Sequence, residues 1–242
     1  MWTRVELKER AKAALSQRYW KLVLVGVIAS LVSGSFIEFE ISESGSSDMF
    51  SVLEMISPLL MGIVFVALII GILVAIFVIN PIEIGTSRFF LKSLNEDTEI
   101  KEVLFAFDHE YMNIVKILFI RNLKIFLWSL LFLIPGIVKS YEYRMIPYLL
   151  AENPNLSQEE VFQISRQMMD GQKMEAFVLD WSFFGWELLS AFTWGLVGVF
   201  YVQPYVFLTD AALYDTLSTA NGHPGRATQQ EWRNTYTEYE EI

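Results

Sequence analysis

Apolar positions along this chain fall in long blocks rather than in alternation, which points to helices and not to strands. Pro58 to Ile79 is the clearest block, with no charged residue across it. A helix of about 20 such residues crosses the hydrocarbon of a bilayer. Asn80-Pro81 reads as its end. Leu22 to Ile37 is shorter and is weakened by Gly26, Ser33 and Gly34; it needs Trp20 and Lys21 to reach the same length. Ile114 to Ile134 is a third block. Lys116, Arg121 and Lys124 sit roughly on one face of it, so its membrane part starts near Ile125, with snorkelling by Arg121 and Lys124. Ala176 to Thr193 and Leu196 to Leu217 are two more, joined by a Trp194-Gly195 turn and Gly198.

The stretch LFLIPGIVKSYEYRMIPYLL, residues 131–150, decides the topology. It begins apolar, breaks at Pro135-Gly136, and then carries Lys139, Glu142 and Arg144. If the chain turns at Pro-Gly, residues 137–151 return as a short polar helix and residues 152–173 lie inside. If it does not, residues 139–173 lie outside. A capped helix follows in either case. Ser157 and Glu160 form a capping box, Val161, Ile164 and Met168 share a face, and Gly171 closes it. The positive-inside bias favours the hairpin only mildly. Six acids accompany four bases between Lys139 and Glu175.

The predicted fold class is all-α, a polytopic transmembrane helical bundle. Six membrane helices are expected at 20–37, 58–80, 114–134, 137–151, 174–193 and 196–217, with five as the alternative. Residues 1–217 form one domain. Residues 82–112 read as an inner-side loop with one or two interfacial helices, and Glu38 to Glu54, with five acids and no base, as an outer loop. Residues 157–171 read as an amphipathic inner helix, and the polar tail 218–242 as disordered. At the N-terminus, Thr3 and Glu6 form a capping box for an amphipathic helix over 1–19. Val5, Ala11, Ala14 and Leu15 share its face, and Arg4, Lys8, Arg10, Lys12, Arg18 and Lys21 supply positive charge. These six residues would hold it on anionic lipids of the inner leaflet. The segment is too long and too charged to read as a cleavable signal. The N-terminus is expected inside, and with six helices the C-terminus also.

Composition agrees with the pattern. The chain of 242 residues is 53% hydrophobic and 19% charged, against about 25% charged in an ordinary soluble domain. Aromatic residues reach 15%, and Trp and Tyr gather at membrane interfaces. The formal net charge of -10 does not favour nucleic acid as a partner. The absence of cysteine removes disulfides, thiolate metal sites and cysteine nucleophiles. His109 and His223 have no ligand spacing, and Met168, Met169 and Met174 read as packing. No cofactor or metal is expected. G-x-S-x-G, H-E-x-x-H and Walker motifs are missing.

The candidate functional groups are charges at membrane depth. Unpaired charge in hydrocarbon costs at least about 2.5–3.5 kcal/mol, so such groups pair or line water-filled cavities. Lys139, Glu142 and Arg144 can meet Asp180, Glu187 and Asp210 from the following helices. The three-residue spacing of Lys139 and Glu142 and the seven-residue spacing of Asp180 and Glu187 put each pair on one face. They form either a polar cavity or fold-holding ion pairs. Pro135, Gly136, Pro147 and Pro204 break helices at depth; such breaks are ordinary kinks or expose backbone groups to a substrate.

The segments MWTRVELKERAKAAL, LWSLLFLIPGIVKSYEYRMIPYLLAENPNLS, EVFQISRQMMDGQKMEAFVLDWSFFGW and YVQPYVFLTDAALYDTL, in this order, resemble the bacterial integral membrane family called domain of unknown function 975. The resemblance runs nearly to Leu217. A looser likeness reaches the membrane domain found beside glycerophosphodiester phosphodiesterases, through Pro135-Gly136-Ile137 and Ser165 to Gly171. The family implies a bacterial cytoplasmic membrane protein and brings no catalytic residue. The expectation is therefore a non-enzymatic multi-pass protein, a scaffold, accessory or envelope-modulating chain that works with protein partners or as a homo-oligomer. The alternative is a small transporter or lipid-headgroup-binding protein with a polar cavity.

Overall fold

The computed structural model describes residues 3–33 and 58–220. The expected outer loop at 38–54 and the tail beyond residue 220 lie outside the described residues. Among the described residues, only helices and the turns between them occur. Helix α1 spans Arg4–Gln17 and α2 Tyr19–Ser33. Helix α3, Pro58–Val74, runs through a π-helical turn at Ala75–Ile79 into α4, Asn80–Ser93. A 3-10 turn at Ile100–Leu104 and the short α5, Phe105–Asp108, lead to α6, Tyr111–Leu131. Then come α7, Leu133–Glu142; α8, Ile146–Glu152; and α9, Gln158–Met168. Helices α10, Lys173–Trp181, and α11, Phe184–Phe192, precede a second π turn at Gly198–Val202 and α12, Gln203–Ala220.

Side-chain burial divides the molecule into two halves. In one half, α1, α4, the 3-10 turn, α8, α9 and α12 enclose a core. It holds Leu7, Phe89, Phe90, Met145, Leu149, Ile164 and Tyr214, all nearly solvent-free. In the other half the large apolar side chains point outward: Ile63 to Val78 on α3, Phe126 to Val138 on α6 and α7, and Phe184 to Leu196 on α11 and its turn. Helix α6 belongs to both, buried at Ile114 to Leu118 and exposed past Phe126. The continuous helix Gly62–Ser93 is long and apolar enough to cross a membrane. Its most apolar stretch has mean hydropathy 3.3, and none of that stretch is buried. Among the described residues it is the one helix that meets this test.

Asn80-Pro81 does not end the third helix, as the sequence reading expected. Proline lacks the N–H that would bond the carbonyl four residues back, here that of Phe77. A π turn absorbs the misfit, and the Tyr111 hydroxyl donates to the Phe77 carbonyl at 2.7 Å. Pro204 repeats the device. The π turn at 198–202 precedes it, and the Tyr19 hydroxyl donates to the Phe200 carbonyl at 3.1 Å. Both helices thus run on past their prolines, with the Phe77 and Phe200 carbonyls each served by a tyrosine hydroxyl.

The chain does reverse within residues 131–150, though the turn lies three residues before Pro135. Phe132 is extended and caps α7, and Pro135 sits in the first turn of the returning helix, where a missing N–H is harmless. Gly136 is the contact point. A Cβ there would stand 2.7 Å from the Ser129 Cα of α6. The second hairpin, α11 into the π turn, uses the same pairing. Trp194 and Gly195 turn with φ of 54° and 79°, and a Cβ on Gly198 would meet the Ser190 side chain.

Several expected spans are broken. Residues 137–151 are not one helix: α7 ends at Glu142, and α8 starts afresh at Ile146 with Pro147 in its first turn. Ile146 N–H closes on the Tyr143 carbonyl at 3.3 Å, which uses the acceptor that Pro147 cannot bond. Helix α8 is almost wholly buried in protein. Residues 174–193 likewise split between α10 and α11. Residues 82–112 are not a surface loop. Ile84, Phe89, Phe90, Val103 and Ala106 from this segment are core. The capped helix at 157 holds as read: Glu160 N–H donates to Ser157 Oγ, and Ser157 N–H to Glu160 Oε2 at 2.8 Å. Met174 is the exception among the three methionines, being exposed.

The N-terminal helix also differs from its expectation. Thr3 Oγ1 accepts from Glu6 N–H at 3.3 Å, one half of the expected capping box. The buried face, however, is Leu7, Ala11, Ala14 and Leu15, while Val5 is exposed. That face packs on α12, with Arg10 bridging to Asp215 at 2.6 Å. It is spent on protein and not on lipid. Lys21 and Arg18 turn to Asp97, Arg18 also donates to the Ser93 carbonyl, and Lys8 lies over the Phe183 ring. Arg4 and Lys12 remain exposed.

The 3-10 turn is held to α4 by Glu102, which accepts from Arg88 Nε at 2.7 Å and Lys92 Nζ at 3.0 Å. Burial pushes the Glu102 carboxyl up, and the two cations outweigh burial and hold it below the usual carboxylate range. A depressed carboxyl stabilises the fold above its unfolded value, and this stabilisation is lost as pH falls through the folded value. Glu102→Gln is expected to lower the thermal midpoint by a few degrees at pH 7, for a loss of about 1 kcal/mol. The gap to the native chain is expected to close as pH drops below about 4, read by differential scanning fluorimetry.

Candidate functional site

Two ionic clusters lie where the packed half meets the apolar half. The first forms at the break between α7 and α8, which places Arg144 on a turn facing α10 and α12. Both guanidinium arms are used. Arg144 donates to Asp180 Oδ1 and Oδ2, each at 2.7 Å, and to Asp210 Oδ1 at 2.7 Å. The Tyr141 hydroxyl adds a bond to Asp180 Oδ2 at 2.7 Å, and its ring lies 5.5 Å from the guanidinium. The Arg144 side chain is 16% exposed. A fork of donors on one arginine is the geometry that carboxylates match best. The cluster ties three chain segments, remote in sequence, at one point.

The second cluster surrounds Glu142, whose side chain is 8% exposed. Lys139 Nζ donates to both its oxygens, at 2.8 and 2.9 Å. Arg166 Nε of α9 stands 3.2 Å away and Lys173 Nζ 3.5 Å. Ser165 Oγ donates to the Glu142 carbonyl at 2.8 Å and pins α9 to the end of α7. Beside it, Lys124 Nζ rests 3.9 Å over the Phe162 ring, and Phe162 packs edge-on against Tyr143. A third tie joins α6 to α4, where Arg121 bonds both oxygens of Glu83 at 2.8 and 2.9 Å.

The structure brings together five of the six proposed depth charges, in two groups: Arg144 with Asp180 and Asp210, and Lys139 with Glu142. Glu187 lies on α11, a different helix from Asp180. The break at Ser182 and Phe183 separates α10 from α11, so the seven-residue spacing no longer implies a shared face. Tyr141, Arg166 and Lys173 take part in the clusters without having been proposed for the site, and Arg121, expected to snorkel, instead pairs with Glu83. For Arg166 and Lys173 the signal was present, since they flank a capped helix whose apolar face had been read. Of the helix breaks, Pro135 and Pro147 open returning helices, Gly136 is a packing contact, and Pro204 has its carbonyl partner in Phe200 served by Tyr19.

Residues 130–221 match the family model described as "Protein of unknown function (DUF975)". This part of the chain is similar to the DUF975 family. The match runs from the end of α6 through α12, and both ionic clusters fall mainly inside it. It is narrower than the resemblance read from the sequence, leaving α1 to α5 and nearly all of α6 outside. The looser likeness to the phosphodiesterase-associated membrane domain is not shown by it. No curated protein and no solved structure matches the chain. The match therefore brings no activity.

Proposed function

We propose that this DUF975 protein is a multi-pass protein of the bacterial cytoplasmic membrane with a non-catalytic scaffold or accessory role. Its packed half lies at one membrane face, and α3 and the two hairpins enter the bilayer. One observation carries the membrane reading: exposed large apolar side chains are densest along α3, the α6–α7 hairpin and α11, while the same helices or their neighbours bury their other ends in protein. An exposed apolar surface of this extent needs a partner or a lipid phase. The hairpin turns also satisfy their own backbone, as hydrocarbon requires. Phe132 N–H bonds the Trp128 carbonyl at 3.1 Å, Gly195 N–H the Ser190 carbonyl at 2.9 Å, and Val197 N–H the Thr193 hydroxyl at 3.3 Å.

The non-catalytic reading is supported by how the depth charges are used. Arg144 spends its donors on Asp180 and Asp210, so the group best suited to a ligand is already engaged by the fold. The membrane reading is tested by alkaline carbonate washing of membranes carrying the full chain. Retention in the pellet and release only by detergent are expected. Release by carbonate would overturn it.

A further inference from the structure

The Glu142 cluster carries more positive charge than it needs. Lys139, Arg166 and Lys173 all reach one carboxylate. Lys124 adds a fourth cation, whose close contact is the Phe162 ring and which is repelled by Arg166 and Lys139. Four cations against one acid leave an excess of three positive charges within one cluster. Four side chains from α6, α7, α9 and the start of α10 converge there, so the excess is built by the tertiary fold. It is not a run of surface lysines. It also sits at a defined level. Lys139 Nζ is 5.8 Å from the Trp128 ring, and the residues just beyond, Leu127, Leu131, Ile137 and Val138, are exposed and apolar. Tryptophan and lysine at the foot of an apolar hairpin mark the headgroup region of a bilayer.

We propose that Lys124, Lys139, Arg166 and Lys173 bind the phosphate of an anionic phospholipid, whose acyl chains lie along the α6–α7 hairpin. The site rests on the membrane insertion proposed above. The charge decides the class of lipid. A net negative headgroup meets the excess of cations, whereas a zwitterionic headgroup brings an ammonium that they repel. Glu142 holds three of the cations in place, and Lys124, which has no carboxylate partner among the described residues, is the one left to the ligand. The apolar flank favours a lipid over a free anion, because inorganic phosphate would use the cations and leave that surface unmatched.

The test is native mass spectrometry of the full chain in detergent, titrated with phosphatidylglycerol or phosphatidylcholine. The native chain is expected to retain one phosphatidylglycerol in preference to phosphatidylcholine. The double variant Lys124→Gln/Lys173→Gln is expected to bind it about tenfold more weakly or worse. Lys124→Arg keeps the charge and is expected to bind as the native chain does. Arg4→Gln/Lys12→Gln on α1 separates this site from general surface charge and is expected to change nothing. Thermal unfolding and gel filtration establish that each variant is folded. Undiminished binding by the folded double variant overturns the proposal, and so does equal retention of phosphatidylcholine. Displacement of the lipid by millimolar inorganic phosphate alone overturns the lipid assignment. A chain that needs detergent but shows no lipid preference refutes this site and leaves the membrane reading standing. Release by carbonate refutes both.

Discussion

Arg144→Ala is expected to destabilise the folded chain by about 3–5 kcal/mol, the usual cost of removing one partner from a buried ion pair. The variant leaves Asp180 and Asp210 facing each other across the break between α7 and α8 with no cation between them. It also unties α10 and α12 from that break. Fluorescence-detected gel filtration of detergent extracts reads the outcome as loss of the monodisperse peak, or as a fall in its melting temperature of roughly 10 °C. Asp180→Asn/Asp210→Asn in the Arg144→Ala background is expected to recover part of the loss, because it removes the stranded charges. A transport or ligand-binding role for Arg144 predicts the opposite pattern: a variant that folds as the native chain does and loses only a phenotype.

Gly85→Ala is expected to lose about 3 kcal/mol or to misfold, although the change adds a single methyl group. The Cβ would run into the backbone of Val103, whose Cα would stand 2.8 Å away. A flexible side chain could yield, but the 3-10 turn is held down by Glu102 on Arg88 and Lys92 and cannot. Overfilling a packed contact of this kind costs about 1–3 kcal/mol when neighbours give way, and more when they are backbone. Gly71→Ala is the matched control. Nothing lies within 4 Å of its Cβ position, and alanine is the better helix former by about 1 kcal/mol. Parallel melting curves are expected to show Gly71→Ala at or above the native midpoint and Gly85→Ala far below it.

The helical class, the capped α9 and the reversal at residues 131–150 were readable because each has a local cause. A capping box acts over three residues, and a hairpin needs only a break between two apolar runs. The meeting of Arg144 with Asp180 and Asp210 was foreseen on chemical grounds alone, since charge at depth must find its opposite. What was not legible depended on distant partners. Asn80-Pro81 looked like a stop because the relief of Phe77 comes from Tyr111, 34 residues further on. The segment 82–112 looked like a loop because of its charges, yet Arg88 and Lys92 pair with Glu102, and Glu83 with Arg121 of α6, and so tolerate burial. The N-terminal helix looked lipid-facing because nothing local shows that α12 covers it. Its basic residues read as membrane anchors, and Arg10 and Arg18 turned out to be clasps to α12 and to the end of α4.

The central claim is that the chain returns through the α6–α7 hairpin, so that the segments before α6 and after α8 share one side of the membrane. The absence of cysteine allows a direct measurement. Glu96→Cys and Asn155→Cys, two exposed positions of the packed half on either side of the hairpin, are treated in separate strains with a membrane-impermeant maleimide, before and after the cells are opened. The two positions are expected to behave alike, both silent in intact cells and both labelled once the cells are open. Labelling of one and not the other in intact cells would place them on opposite sides, and the hairpin, the depth of the Arg144 cluster and the lipid site would fall together.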